Sequence, residues 1–399
     1  MAISGEVAIV GTAVTRFGVL HDSGYLDLIA EVGFGAVADA GLEMADIEAA
    51  WLATAEPQTS GLVGDSGAAI AEALRFAPRP VTRVSNFCTT GMEAVRAGAM
   101  AIAAGEHELV LAIGAEKMRD VTPKGSLLAK TAEASHPVLA KGRTAPGQFA
   151  LLANRYLHEY GYTREDLAAV AVKNHGNATR NPDAQYNYAL TVTQVLEAPI
   201  VAEPLGLYDC TPTTDGAAAV VLASRQWAEE NAETYSIIRG IGVAVTGGYF
   251  SNFYDETRDF VGFASTREAA RRAYEQAGIT SPRDELDLVE CHDCFTITEI
   301  VNTEDLGIAE RGKGIELLRS GATAIDGEIP VNVSGGLQAC GHPVGATGVR
   351  MVVEISRQVT GRGEDRQVPG AKTGLAHTLG GPGVIAAVVI VGAPDDRRL

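Results

Sequence analysis

The chain contains one strand–helix unit twice, and a reactive side chain follows the strand in each copy. In the first copy, a predicted strand over Thr82–Phe87 leads to Cys88 and then to a helix from Gly91 to Gly105. In the second copy, Ile329–Ser334 is the predicted strand, and His342 opens the next helix. Two copies of one fold, one with a thiol and the other with an imidazole, would bring a nucleophile and its base together.

The repeat can be followed along the rest of the chain, element by element. Helices of the same length alternate with apolar strands in both copies, which predicts buried, largely parallel sheets covered by helices. The matching pairs are Val7–Ala13 with Tyr235–Val245, Leu26–Ala40 with Thr266–Ala277, Ala49–Ala55 with Leu286–Glu290, Leu109–Gly114 with Thr373–Leu379, and Gly216–Ala223 with Val384–Val391.

The copies differ in the connection between their last two strands. The second copy has a glycine-rich turn, Gly380–Gly383, whereas the first has a long segment, Glu116–Thr214, with predicted helices at Gln148–Tyr160 and Asp166–Ala178. A connection of that length is usually functional. Its cationic side chains are either solvated helix faces or part of a lid that holds an anionic ligand. We therefore predict a first half over 1–115 with 213–234, an inserted loop domain over 116–212, and a second half over 235–399.

Composition excludes several classes of protein. The 399 residues carry a formal net charge of −18, which argues against nucleic acid as the main partner. No apolar run reaches the roughly 18 residues of a membrane span, and the first residues are strand-like without a basic signal region. The five cysteines are odd in number and irregularly spaced, as in reduced cytosolic proteins. These features predict a cytoplasmic protein.

Cys88 and His342 are the strongest candidates for chemistry. Cys88 lies at a strand-to-helix turn, and a helix N-terminus lowers the pKa of a nearby thiol. The alternative is a buried, apolar cysteine. His342 lies among glycines that permit close backbone approach to a ligand, and Pro343 suits a first helical turn. Packing alone explains such a histidine poorly.

A second group of polar residues leaves the end of an apolar strand, where ligand crevices of α/β sheets open. If the strand persists, His292 and Cys294 point the same way, whereas Cys291 and Asp293 point the other way. The alternatives are satisfied buried polar groups, a zinc site or a redox pair, although no second ligand pair for zinc stands out. His377 begins the last glycine turn and either orients a neighbour or caps the strand.

The Cys88 turn, the sequence GHPVGATG around His342, the sequence HDCF at residues 292–295, and the closing glycine-rich turn together resemble the thiolase superfamily. The HDCF form is similar to the sterol-carrier-protein-type thiolases and to their acetyl-CoA acetyltransferase-like relatives. The chain departs from other thiolases at His377, where they have a second cysteine. The resemblance implies an α/β duplicated thiolase fold, with two mixed sheets and helices in α/β/α/β/α layers plus the inserted loop domain.

The resemblance also implies a mechanism that uses coenzyme A thioesters, with no tightly bound cofactor and no metal. His342 would take the proton of Cys88, whose thiolate would attack an acyl-CoA. The first oxyanion hole would be formed by His342 and His292, and the second by N–H groups of Cys88 and Gly380. Cys294 would be the acid/base for the incoming nucleophile. The reaction would be thiolysis of a 3-ketoacyl-CoA or the reverse Claisen condensation.

The same resemblance implies partners. A homodimer, or a dimer of dimers, would form through the apolar edge strand Val81–Ser85, because an unpaired apolar edge is a liability in solution. The phosphates of coenzyme A would bind the loop domain, and a small zinc-ribbon/OB-fold protein is a possible partner. The candidates for phosphate binding are Lys141, Arg143, Lys173 and Arg180.

Three other functions compete with a thiolase. A ketosynthase shares the fold but usually has a His-Gly-Thr-Gly-Thr sequence, which is absent from this chain. Thiolase-like aldolases resemble this subgroup but depart at the nucleophilic cysteine, so the presence of both Cys88 and Cys294 favours the thiolase. A non-catalytic acyl-CoA or lipid carrier would form no covalent adduct with an acyl-CoA.

Overall fold

One nine-stranded sheet runs through the computed structural model of the protein and carries both copies of the repeat. The structure describes residues 3–61, 63–121, 144–246 and 261–396. A separate two-stranded sheet is formed by β5 and β6. The strands are β1 (Val7–Val14), β2 (Ala49–Ala53), β3 (Val81–Val84), β4 (Leu109–Glu116), β5 (Ile200–Ala202), β6 (Leu205–Gly206), β7 (Gly216–Ser224), β8 (Ser236–Val245), β9 (Leu288–Glu290), β10 (Thr373–Gly380) and β11 (Ile385–Gly392).

The order of the strands repeats on either side of one joint. The sheet runs β3-β2-β4-β7-β1-β8-β11-β10-β9. Outward from the joint, β1, β7, β4 and β2 correspond to β8, β11, β10 and β9. The joint itself is short, because β1 and β8 pair only at Ala8 with Ile237 and at Ile9 with Ser236. The two mixed sheets expected from the sequence are therefore hydrogen-bonded into one through two residue pairs.

Two sequence-based expectations about the strands are wrong. Of the eight neighbouring pairs in the large sheet, only β2–β3, β2–β4 and β9–β10 are parallel, so the sheet is mixed rather than largely parallel. The predicted strand Ile329–Ser334 is reduced to one parallel bridge between Val289 and Val331. The reason is Asn332, whose φ of 58° takes the backbone out of the extended conformation at the fourth residue of the predicted strand.

The helices cover both faces of the sheet and fill the layer between its halves. The last long helix, α12, packs against β4 and β7 of the first half and against β10 of the second, and nearly all of its residues are buried. The helices are α1 (Tyr25–Asp39), α2 (Ala68–Ala73), α3 (Thr90–Ala103), α4 (Ala145–Tyr160), α5 (Arg164–Ala178), α6 (Val192–Glu197), α7 (Arg225–Asn231), α8 (Ala264–Ala277), α9 (Pro282–Glu285), α10 (Thr296–Asp305), α11 (Gly314–Arg319) and α12 (Val344–Val359).

The segment between β4 and β7 supplies α4, α5, α6 and the small sheet. Thr144 caps α4 by accepting a hydrogen bond from the Gly147 amide, and Gly161 ends the helix with a φ of 73°. Helix α5 packs against α10 and against the turn at Gly336–Cys340. The inserted segment therefore lies beside the second copy. None of the helices in the described ranges is both long enough and apolar enough to span a bilayer.

Candidate active site

The two halves bring one thiol and two imidazoles together. One side-chain ligand atom from each of Cys88, His292 and His342 lies within 4.8 Å of the other two. The ring centroids of the two histidines are 5.1 Å apart, and the rings are inclined at 84°. Cys88 is half-buried, whereas both histidines are buried. The sequence prediction that the repeat juxtaposes Cys88 and His342 agrees with this geometry.

A sharp backbone turn presents Cys88. The preceding residue, Phe87, has a φ of 50°, which is unusual for a side chain other than glycine and marks a constrained bend. The Thr90 hydroxyl accepts a hydrogen bond from the Asn86 amide at 2.7 Å, and the Thr90 amide donates to the Phe87 carbonyl at 3.2 Å. Helix α3 begins at Thr90, so the thiol lies just before its N-terminus.

Glycines let the helices that follow the two reactive residues approach closely. A Cβ atom on Gly91 of α3 would lie 2.9 Å from the Gly345 carbonyl oxygen and 2.8 Å from the Val349 nitrogen, both in α12. A Cβ atom on Gly114 of β4 would lie 2.3 Å from the same Gly345 oxygen. A larger side chain at Gly91 would therefore separate the N-termini of α3 and α12, and with them the thiol and the imidazole, whereas one at Gly114 would push α12 away from β4.

The contacts of the Thr347 hydroxyl favour one tautomer of His342. When this hydroxyl donates to the Pro343 carbonyl at 3.0 Å, its oxygen can accept from His342 Nδ1 at 2.7 Å. In that tautomer Nδ1 carries the proton, and Nε2 is the nitrogen that can take a proton from a thiol. The backbone amide of His342 is held by the Thr214 hydroxyl at 3.0 Å.

His292 is fully buried and contributes an uncharged ring. Burial, and secondly the charge of Arg350, lower the pKa of its imidazole to about 3. Within the described part of the chain, neither ring nitrogen has a hydrogen-bond partner, although both are buried. Buried polar atoms without a partner are rare in proteins and require an explanation. A ligand oxygen bound between His292 and His342 would supply one.

The two cysteines of the HDCF region lie in different surroundings. Cys294 has Thr298 as a neighbour, at 3.9 Å between sulfur and hydroxyl oxygen, and its pKa is raised by burial and then by Cys88. Cys291 instead lies beside Asn332, and burial and then Glu299 raise the pKa of its thiol. Cys88 therefore affects the thiol of Cys294, whereas Glu299 is the main charged neighbour of Cys291; that Cys294 is the catalytic member of the pair stays a prediction.

The directions predicted for Cys291 and Cys294 assume a strand that continues through them, and that premise is wrong. Strand β9 ends at Glu290. Beyond it, side chains replace the ladder partners of the backbone: the Asn332 amide oxygen accepts from the Cys291 N–H at 2.9 Å, and the His377 ring accepts from the His292 N–H at 3.4 Å. The HDCF segment is therefore irregular, and its directions are fixed by specific side chains.

A buried polar network fastens the HDCF segment to helix α5 of the inserted segment, and sequence reasoning missed it. The Asn174 amide of α5 donates to Asp293 and to Glu299, both at 2.8 Å. Asp293 also accepts from the Leu337 amide at 2.6 Å, in the turn that leads to His342. Burial and then Glu299 raise the pKa of Asp293 to about 7. Asn174 lies in the sequence KNHGNATRN, whose clustered amides were the available signal.

Gly380 lies against the backbone of the nucleophile. A Cβ atom at this position would lie 3.2 Å from the Cys88 nitrogen and 2.9 Å from the Phe87 Cβ. The structure therefore brings together the two residues predicted to form the second oxyanion hole. That catalytic role, and those of the other site residues, stay predictions.

Of the four cations predicted to bind phosphate, the structure describes Lys173 and Arg180. Lys173 already has acceptors for its three ammonium protons, Asn174 Oδ1 at 2.7 Å, the Val331 carbonyl at 2.7 Å and Glu299 at 2.9 Å. The prediction that it binds phosphate does not agree with this geometry. Arg180 is exposed just beyond the end of α5. The other two candidates, Lys141 and Arg143, lie outside the described residues.

Comparison with known proteins assigns the chain to a family. Thiolase family models match residues 7–226 (thiolase, N-terminal domain) and 249–393 (thiolase C-terminal domain-like). The acetyl-CoA acetyltransferase of Methanothermobacter thermautotrophicus is 42% identical over 96% of this chain and 99% of its own. Sterol carrier protein 2 of Oryctolagus cuniculus is 32% identical over 98% of this chain and 73% of its own. The solved Ltp2-ChsH2(DUF35) aldolase is 27% identical, with a TM-score of 0.85 over the full length of both chains.

The fold and the thiol–imidazole site define an acyl-transferring enzyme built from a duplicated α/β unit. The chain belongs to the thiolase family, and it is a thiolase-type acyltransferase. The resemblance and the fold class predicted from the sequence are thereby confirmed.

Proposed function

We propose that the protein transfers acyl groups between coenzyme A thioesters through an acyl-Cys88 intermediate, by thiolysis of a 3-ketoacyl-CoA or by the reverse condensation. One observation carries the proposal: Cys88, His292 and His342 supply three side-chain atoms within 4.8 Å of one another, from both halves of the fold. An imidazole whose Nε2 is basic activates a thiol, and two neutral imidazoles beside it suit an oxyanion.

The first half-reaction acylates Cys88. The thiol proton passes to Nε2 of His342 as sulfur forms a bond to the thioester carbon. The bond from that carbon to the coenzyme A sulfur then breaks, and the leaving thiolate takes a proton from Cys294. A resting thiol on Cys294 agrees with this role, since burial and the neighbouring Cys88 raise its pKa well above the usual range. The amides of Cys88 and Gly380 hold the oxyanion formed on the way.

The second half-reaction forms the carbon–carbon bond. The Cys294 thiolate takes a proton from the α-carbon of acetyl-CoA, and the carbanion attacks the acyl carbon of the intermediate. The bond to Cys88 sulfur breaks, and that thiolate recovers its proton from His342. His292 and His342 hold the enolate oxygen of acetyl-CoA during proton removal. All protons return to their starting groups, and the same steps in reverse describe thiolysis.

Mass spectrometry of the intact protein tests the proposal. After mixing with acetyl-CoA and acid quenching, the protein should gain one acetyl group, which peptide mapping should place on Cys88. The Cys88→Ala variant should gain none and should lose turnover. Cys210→Ala is the matched control, because burial raises the pKa of that half-buried thiol to about 12, and it should still acetylate. An adduct that survives Cys88→Ala would refute the mechanism.

An aldolase is the second candidate, since one of the similar solved structures, with a TM-score of 0.85 over the full length, is an aldolase. Such an enzyme cleaves a carbon–carbon bond without a covalent acyl-enzyme. The presence of Cys88 at the turn, with the basic nitrogen of His342 beside it, favours the acyl-enzyme. Retro-aldol cleavage of a 3-hydroxyacyl-CoA by the Cys88→Ala variant would favour the aldolase instead.

We further propose the assembly and location of the enzyme. Strand β3 forms one edge of the large sheet with half-buried and exposed residues, and it would pair with a second copy to give a homodimer. A small OB-fold partner is a further proposal, motivated by the DUF35 protein in the similar aldolase complex. The free cysteines and acidic surface favour the cytoplasm. Light scattering at micromolar concentration tests the dimer, and a monomer would contradict it.

A further inference from the structure

A closed ring of hydrogen bonds surrounds the backbone of His292. The His292 N–H donates to Nδ1 of His377 at 3.4 Å, and Nε2 of His377 lies 3.1 Å from the Thr266 hydroxyl. That hydroxyl donates to Oδ1 of Asn302 at 3.5 Å. The Asn302 side-chain amide in turn donates to the His292 carbonyl at 2.7 Å, which closes the ring. All four residues are 0% exposed, so water does not compete for these bonds.

The donors and acceptors run around the ring in one direction. Because Nδ1 of His377 accepts from a backbone N–H, the proton of this neutral imidazole must lie on Nε2, which donates to Thr266. Burial, and then the nearby His292, lower the pKa of His377 well below its usual range, so the neutral ring persists. A protonated His377 would turn two N–H groups toward each other and break the ring.

The ring fixes both peptide groups that flank His292. This matters because no described residue hydrogen-bonds to the His292 imidazole, so its direction depends on the backbone and on packing. A side chain that must hold an oxyanion needs its donor placed to within a fraction of an ångström. The three ring members come from different elements, α8, α10 and β10, which together clamp an irregular segment.

We propose that His377, Thr266 and Asn302 are positioning residues that aim the His292 imidazole at the substrate oxygen during the carbon–carbon step. This inference rests on the proposed function and assigns a role to the histidine that replaces the second cysteine of other thiolases. The ring reaches the backbone of His292 through His377 and Asn302, and Thr266 links those two side chains. It acts through one residue, and it therefore affects only the half-reaction in which that residue takes part.

The test compares the two half-reactions in Thr266→Val, a near-isosteric change that breaks the ring at its centre. Rapid-quench mass spectrometry with acetyl-CoA should show acetylation of Cys88 within about twofold of the native rate. Acetoacetyl-CoA formation should slow by about 100-fold, the usual cost of misplacing a reacting group by an ångström. The KM for acetyl-CoA should change little, and Thr266→Ser, which keeps the hydroxyl, should restore the rate.

A double-mutant cycle shows whether the effect passes through His292. In a His292→Ala background, adding Thr266→Val should slow the carbon–carbon step no further. The matched control is Thr303→Val, which removes another buried hydroxyl of α10. This hydroxyl donates to the Ile300 carbonyl at 2.8 Å, and its removal should leave both half-reactions unchanged. Additive losses in the cycle, or equal slowing of both half-reactions, would overturn the proposal.

A spectroscopic measurement keeps the inference testable apart from activity. The measurement is ¹⁵N NMR of protein labelled with ¹⁵N-histidine, in which the signals of His377 are assigned by comparison with the His377→Gln variant. From pH 5 to 8 these signals should be those of the neutral tautomer with its proton on Nε2. The opposite tautomer, or a cation in that range, would overturn the ring. Failure of the native enzyme to acetylate Cys88 would instead refute the proposed function, so the two failures are distinguishable.

Discussion

The backbone amide of Gly345 donates to the buried carboxyl group of Glu116 over 2.9 Å, which fastens the helix that follows His342 to a strand of the other half. The same carboxyl group accepts from the amides of Ala55 at 2.9 Å and Glu56 at 3.0 Å. A single acidic side chain on β4 therefore holds two other segments of the chain.

The stability of the fold should depend on pH through Glu116. Burial and then Glu56 raise the pKa of this carboxyl from 4.5 to about 8, so the folded state binds a proton that the unfolded state releases. Stability should therefore fall as pH rises from about 4.5 to 8, by at most about 1.4 kcal/mol per pH unit for this group. Urea unfolding across that range should show a shallower slope for Glu116→Gln than for the native protein. An unchanged slope would contradict the assignment.

Cys294 and Cys291 should differ sharply in their effect on catalysis. Cys294→Ala should still form acetyl-Cys88, although more slowly because the leaving coenzyme A thiolate loses its proton donor. It should lose carbon–carbon bond formation and cleavage by several orders of magnitude, because no group would exchange the α-proton. Cys291→Ala is the control and should remain active, with a loss of stability of about 1 kcal/mol. Quench-flow mass spectrometry and a steady-state assay measure the two effects. The reverse outcome would mean that the two thiols exchange sides.

Zinc ions should inhibit the enzyme reversibly. A thiolate and two neutral imidazoles are preferred ligands of Zn²⁺, and the three candidate atoms lie within 4.8 Å of one another. Added Zn²⁺ should slow acetylation and protect Cys88 from iodoacetamide, and a chelator should reverse both effects. In His292→Ala, protection should require a much higher Zn²⁺ concentration. Equal protection in that variant would show that the metal binds elsewhere.

Charge reversal at Arg180 should weaken binding of coenzyme A thioesters. If this exposed cation contacts a phosphate, Arg180→Glu should raise the KM for acetyl-CoA about tenfold. This factor corresponds to the loss of a charge-assisted hydrogen bond of about 1.5 kcal/mol. The KM should also depend less on salt concentration than it does in the native enzyme. Arg283→Glu is the control, since that exposed arginine pairs with exposed Glu328 on the second half. A lower kcat at unchanged KM would contradict phosphate binding.

The fold was predictable from the sequence where a pattern repeats locally. Apolar strands and amphipathic helices follow the chain with short periods, so most predicted elements agree with the structure within a few residues, such as Val7–Val14 and Val344–Val359. The duplication also indicated that Cys88 and His342 would meet. The segment before His342 was mispredicted. The apolar residues Ile329, Val331 and Val333 alternate as in a strand, and this pattern does not indicate the left-handed backbone of Asn332.

The polar support of the site was beyond sequence reasoning for a different physical reason. Thr266, Asn302 and His377 belong to three elements, and the first and last are 111 positions apart. Their bonding depends on register and distance, which composition does not encode. Lys173 is a similar case. Its positive charge suggested that it binds a phosphate of coenzyme A, but the buried side chain of Glu299 already pairs with it.

The narrow joint at Ala8–Ile237 and Ile9–Ser236 has a consequence for the geometry of the site. Cys88 belongs to one half of the chain and His342 to the other, so the distance between them depends on how the halves are held together. Helix α12 packs against β4 and β7 of the first half and against β10 of the second, and this packing adds to the short joint of the sheet. Alignment of the thiol with the imidazole is therefore a property of the contact between the halves, and a substitution in that helical layer would change it without touching either residue.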